Sequence, residues 1–104
     1  MIFRRRFADV ISRQLDVFAE DEARGLLAEV RELKRRYDEA ERENAEEAYG
    51  DYTDAVEAAT EALADMRDRF ARTLDEATAE EYERAFNRAV QRRWPPFGLE
   101  IENR

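Results

Sequence analysis

The sequence predicts an all-α protein: an antiparallel helical hairpin over about residues 22–49 and 52–76, with shorter N- and C-terminal helices completing a four-helix, bundle-like fold. Three observations lead there. Apolar residues recur at alternating steps of three and four along most of the chain. Only three Gly and two Pro occur among 104 residues, and the prolines stand together at 95 and 96, so nothing in residues 1–93 forbids nearly continuous helix. Apolar content of 43% beside charged content of 42% suits helices that bury one stripe and solvate the rest. No run of four or more β-branched or aromatic residues is bounded by turns, so no core strand is expected.

The first helix reads from Met1 to Phe18, with Phe3, Phe7, Val10, Ile11, Leu15 and Phe18 on one face. Arg4, Arg5 and Arg6 sit in its first turns, where the helix dipole disfavours cations. They form a basic N-terminal patch, suited to ion pairing within the fold or to an anionic membrane or partner. The acidic segment Ala19–Gly25 has no large apolar residue, and a bend is expected there. The hairpin follows. Leu26, Val30, Leu33, Tyr37 and Ala40 line its first arm; Tyr49, Tyr52, Val56, Ala59, Leu63, Met66 and Phe70 line the second. Asn44 and Glu47 interrupt the stripe, so the two frames do not join, and Gly50 is the expected point of reversal. Residues whose numbers sum to about 100 then face one another, pairing Leu33 with Met66, Val30 with Phe70, Tyr37 with Leu63 and Leu26 with Leu74. That register also sets Arg31, Lys34, Arg35 and Arg36 level with Asp65 and Asp68.

Thr78 and Glu81 have the spacing of a capping box, which starts a fourth helix from about Ala79 to Arg93. Trp94-Pro95-Pro96 stops it, closing a single helical domain over residues 1–93. In the tail, residues 94–104, apolar and acidic residues alternate with a period of two, so an extended segment is expected. Its Trp94, Phe97, Leu99 and Ile101 either close the bundle or project as an interaction element.

The absences narrow the chemistry. Without Cys there is no disulfide framework or thiol nucleophile, and without His no imidazole acid–base catalyst or His-ligated metal. The three glycines are isolated, so no phosphate-binding loop is present. No long apolar run or signal-like segment occurs, and a cytoplasmic setting is the expectation. Acidic pairs at i,i+3 could hold Mg²⁺ on facing helices, Glu29 and Glu32 with Asp65 and Asp68 being the candidate set. This resembles the all-α nucleoside-triphosphate pyrophosphohydrolases, which use Glu-x-x-Glu and a later Glu-x-x-Asp. Here Glu-x-x-Asp is missing and Asp65-x-x-Asp68 stands nearest to it. A quarter of the chain is acidic, so such pairs arise from composition alone.

Charge distribution says more. Residues 38–61 carry ten acidic side chains and only Arg42, whereas Arg84, Arg88, Arg92 and Arg93 lie along the last helix. A net charge of −8 disfavours nucleic acid as a partner. The sequence therefore points to a non-enzymatic protein–protein interaction or assembly module that needs no cofactor. It is expected to form a homo-oligomer, with a dimer first in view, because helices one and four each need a partner along one stripe. The tail and the acidic hairpin tip are the surfaces open to another protein. A Mg²⁺-dependent nucleotide pyrophosphohydrolase is the alternative, and a peripheral membrane adaptor using Phe3, Arg4, Arg5, Arg6 and Phe7 is a weaker one.

Overall fold

The structure, a computed structural model, describes residues 6–22 and 24–104. It is all-α among those residues and measures 51 × 24 × 24 Å. The helical hairpin is present, but the chain reverses at Ala40-Glu41, ten residues before the expected site. Helix α2 spans Arg24–Glu39 and α3 spans Arg42–Ala71. Glu41 takes an extended conformation (φ −78°, ψ 161°); before the break the Ala40 amide donates to the Tyr37 carbonyl, and after it the Asn44 amide donates to that of Glu41. No described residue has positive φ, so the reversal needs no glycine.

Gly50 lies inside α3, and a methyl group added there would meet nothing within 4 Å. Glycine in a helix interior costs only about 1 kcal/mol relative to Ala, far too little to break a 30-residue helix packed along its length. The frame break read from Asn44 and Glu47 is real, but it marks the start of α3, where both residues are exposed. Moving the turn shifts the register. Tyr37 packs on Tyr49 and Tyr52, at ring centroid distances of 5.2 and 6.4 Å, and not on Leu63. Phe70, expected opposite Val30, packs on Tyr82 at 4.7 Å.

Helix α1 spans Ala8–Val17, and Phe18–Glu22 continues as a π-helix; residue 23, within the Ala19–Gly25 segment where a bend is expected, lies outside the described residues. A π-turn adds one residue to the helical repeat. Around this segment Ile11, Leu15 and Phe18, and then Leu27 and Val30, are buried. Leu26, expected in the stripe of the hairpin's first arm, is only partly buried. Arg4 and Arg5 lie outside the described residues, as does Phe3.

Helix α4 spans Glu76–Arg93 and begins three residues earlier than expected. Its cap is Asp75, whose carboxylate accepts from the Thr78 amide at 2.9 Å and the Thr78 hydroxyl at 3.0 Å. Thr78 is thus the third residue of the helix and not its cap, and these bonds hold the Asp75 carboxyl below the ordinary carboxylate range. After this turn α4 runs antiparallel to α3, bringing Tyr82 to Phe70 and Asn87 to Arg67. It lies parallel to α1, with Arg6 paired to Glu81 at one end and Asp16 to Arg93 at the other. Helices one and four therefore partner each other within one chain, and the packing deficit expected to drive dimerisation is met internally.

The tail is helical and not extended. Pro95–Phe97 forms a 3₁₀ turn and Gly98–Glu102 a short helix, α5. Two consecutive prolines fix the φ angles of that first turn. Phe97 and Ile101, four residues apart, share the inward face at 2% and 0% exposure. Leu99 points away from them and is 81% exposed. The alternation that suggested a strand divides into two helix faces.

Candidate interaction surfaces

The proposed metal ligands are not brought together. Glu32 accepts from Arg35 (3.2 Å) and Arg36 (3.1 Å) in its own helix, which holds its carboxyl below the usual range. Asp68 is bonded to Arg67 at 2.9 Å. Glu29 shares a shallow depression with Asp51 and Asp54, whereas Asp65 and Asp68 line another with Arg69 and Arg72. With the turn at residue 40, Glu29 and Glu32 stand level with the middle of α3 and not with its C-terminal end. Among the described residues, no group of three or more acidic side chains is placed to hold a metal ion.

The basic run of α2 does not face Asp65 and Asp68 either. Lys34 donates to Asp38 at 2.7 Å and Arg35 to Glu39 at 2.9 Å, both one turn along the same helix. The Asp38 contact raises the pKa of Lys34, and Glu32 first and then Glu39 raise that of Arg35. The acidic residues of the first two-thirds of α3 stand differently. Among the described residues, Glu43, Glu46, Glu47, Asp51, Asp54, Glu57 and Glu61 make no ion pair within 4 Å. Arg31 to Asp54 contains no buried residue at all. This is an arm of two helices in contact only with each other and, near its root, with the tail. The first thirteen residues of α3 alone extend it by ~20 Å. Tyr49, half-exposed at 50%, stands on it beside Tyr37.

The other end is a closed base. Ile11, Leu15, Phe18, Leu63, Tyr82, Phe86, Val90, Phe97 and Ile101 form its core. Tyr82 donates its hydroxyl to Gln14 at 2.8 Å, and burial pushes that hydroxyl's pKa up to about 12. On the outside, α1 and α4 leave a groove of about 620 Å³, floored by Ala8, Ile11, Leu15, Ala85 and Ala89 and edged by Arg88, Arg92 and Arg93. Arg6, the described member of the N-terminal basic patch, bonds Glu81 at 3.2 Å and lies over the Phe7 ring.

The four apolar tail residues divide between fold and surface. Phe97 and Ile101 are core. Trp94 is partly buried, edge-on to Phe18 at 5.8 Å and covered by the Arg93 guanidinium at 5.0 Å. Leu99 alone projects. Arg67, 4% exposed, fastens the tail: it donates to Asn87 (3.0 Å) and to the carbonyls of Ile101 (3.3 Å) and Arg104 (2.8 Å), at and just beyond the end of α5. Gln91 adds bonds to the Gly98 carbonyl at 3.3 Å and to Glu102 at 3.0 Å.

Where arm meets base, Leu27, Val30, Tyr52, Trp94, Pro96 and Phe97 enclose an apolar cleft of about 270 Å³, with Arg31 and Lys34 at its rim. Sequence reasoning missed both this cleft and Arg67. The signal for Arg67 lies in its spacing: Thr60, Ala64, Arg67 and Ala71 repeat at four, three and four, a second inward stripe of small and polar residues on α3. The cleft leaves no such signal, because its walls come from three separate segments.

No known protein family matches the chain, nor does any curated protein sequence or solved structure resemble it significantly. Among the described residues, no helix is long and apolar enough to cross a membrane.

Proposed function

We propose that this chain is a non-enzymatic protein–protein interaction or assembly module, acting as an oligomer of itself and offering its acidic arm or tail surface to a further protein. One observation carries the reading: from Arg31 to Asp54 no residue is buried, yet both helices persist there. A chain of this size gains little core by building such an arm, which stabilises the base only at its root. What the arm does supply is a long face of unpaired carboxylates, a surface suited to steering a basic partner. The net charge of −8 argues against nucleic acid as that partner. A cytoplasmic setting belongs to the proposal and rests on the sequence expectation alone.

Sedimentation velocity from low to high micromolar concentration tests it. The reading expects species heavier than the 12.3 kDa monomer to grow with concentration. A concentration-independent monomer would contradict self-assembly. Reversing charge on the arm (Glu43→Lys, Glu46→Lys, Asp51→Lys) should abolish the salt-sensitive part of any association with a basic protein while leaving helicity unchanged.

A further inference from the structure

We infer that Leu99 of one copy seats in the apolar cleft at the root of the arm of a second copy, and reciprocally, so that the module is a two-fold symmetric dimer. This rests on the assembly reading above and names its interface. Leu99 is the most exposed large apolar side chain among the described residues, at 81% against 50% for Tyr49 and 49% for Val17. A single exposed leucine is ordinary. This one is held rigidly: α5 is anchored by buried Phe97 and Ile101, by Arg67 on its terminal carbonyls and by Gln91 on Gly98 and Glu102. Side chains fixed before association lose little entropy on binding.

The cleft supplies the matching half. Its walls are almost wholly apolar, and about 270 Å³ accommodates an aliphatic side chain. Charge selects the orientation. Leu99 is flanked by Glu100 and by Glu102, whereas the cleft rim carries Arg31 and Lys34. Glu100 has a long contact to Arg104 at 3.7 Å and Lys34 is shared with Asp38, but Arg31 makes no ion pair among the described residues. Arg31 facing Glu100 across the interface would satisfy both complementarity and register.

Symmetry follows from position. Phe97 walls the cleft and Leu99 stands two residues further on, so knob and hole lie in one patch. A two-fold axis beside α5 brings each knob to the other copy's hole, which is the isologous arrangement that closes at two copies and leaves the acidic arms free.

The absence of cysteine makes a clean test possible. Leu99→Cys and Arg31→Cys proteins, differing in mass by a tag, are mixed and treated with a short bismaleimide. The mixed covalent dimer should form, and an Asp75→Cys protein at the far turn should not yield it with Leu99→Cys. Leu99→Asp should weaken self-association by at least about tenfold without changing the helical signal or melting temperature of the monomer. Arg31→Glu should weaken it as well, and Arg31→Glu with Glu100→Arg should restore it. Association that survives Leu99→Asp, or a mixed cross-link no stronger than the control, overturns this interface and leaves the assembly reading standing. A monomer at every concentration overturns both. Capture of an acidic helix from a different protein in the cleft, with no self-association, overturns the two-fold dimer.

Discussion

In the base, α3 turns two faces inward: Ala59 and Leu63 toward the hairpin core, and Thr60, Ala64, Arg67 and Ala71 toward α4 and α5. In the arm the same helix turns one, and its Ala45, Ala48 and Tyr52 are only partly covered by α2. The helix is continuous, but it grows richer in apolar residues toward the base, and it also gains neighbours there. With more than one helix packed around it, even an arginine and a threonine become fully interior, each satisfied by hydrogen bonds: Thr60 donates to the Val56 carbonyl at 2.7 Å, and Arg67 to four acceptors. With one neighbour, alanines and tyrosines stay half in water. Burial here depends on the neighbours around a residue as well as on the residue.

That contrast can be broken by substitution. The largest effect is expected in the base, where Phe86 is fully buried. Phe86→Ala should cost about 3–5 kcal/mol, whereas Tyr37→Ala on the arm should cost about 1–2. Equal losses in chemical denaturation would refute the division into base and arm. Next comes Arg67→Met, which keeps the stem but removes the bonds to Asn87 and to the Ile101 and Arg104 carbonyls. A loss of about 3 kcal/mol is expected, with the tail becoming protease-sensitive before the rest of the chain.

Tyr82 gives a pH-dependent effect of intermediate size. Its neutral form is favoured in the folded base, where its pKa is about 12 against an ordinary 10. The stability this confers is complete below pH 10 and is lost as pH rises from about 10 to about 12, since the unfolded chain releases the proton first. The loss amounts to roughly 2–3 kcal/mol, and Tyr82→Phe should flatten it. The smallest effect has the opposite sign. Gly50→Ala in the middle of α3, where an added methyl meets nothing, should stabilise by about 0.5–1 kcal/mol. Destabilisation would mean that residue 50 is a turn after all.

Much of the fold was legible because helix periodicity is local. The stripe through Val56, Ala59 and Leu63, the stop at Trp94-Pro95-Pro96 and the absence of strands among the described residues all followed from spacing. What failed needed tertiary information. Gly50 carries the stronger local turn signal, but Ala40-Glu41 is where reversal brings Tyr37 between Tyr49 and Tyr52. A period-two tail read as extended because nothing local says that Phe97 and Ile101 have a common surface to cover. Ion pairing misled in the same way: Lys34, Arg35 and Arg36 each found a carboxylate one turn away in α2, so those charges could not report the register. The interaction surfaces were legible in part. The acidic run was visible as composition and Leu99 as a tail residue, whereas the cleft needed three segments to meet.

The account depends above all on α3 running unbroken through Gly50, because that continuity creates the arm. Spin labels at Glu43→Cys and Arg69→Cys, both exposed and both on α3, read it directly by pulsed electron resonance. A continuous helix sets the two backbone sites ~40 Å apart at 1.5 Å per residue. A reversal at Gly50 would fold residue 43 back along the second arm and bring them within ~20 Å, and that distance would contradict the arm and the base alike.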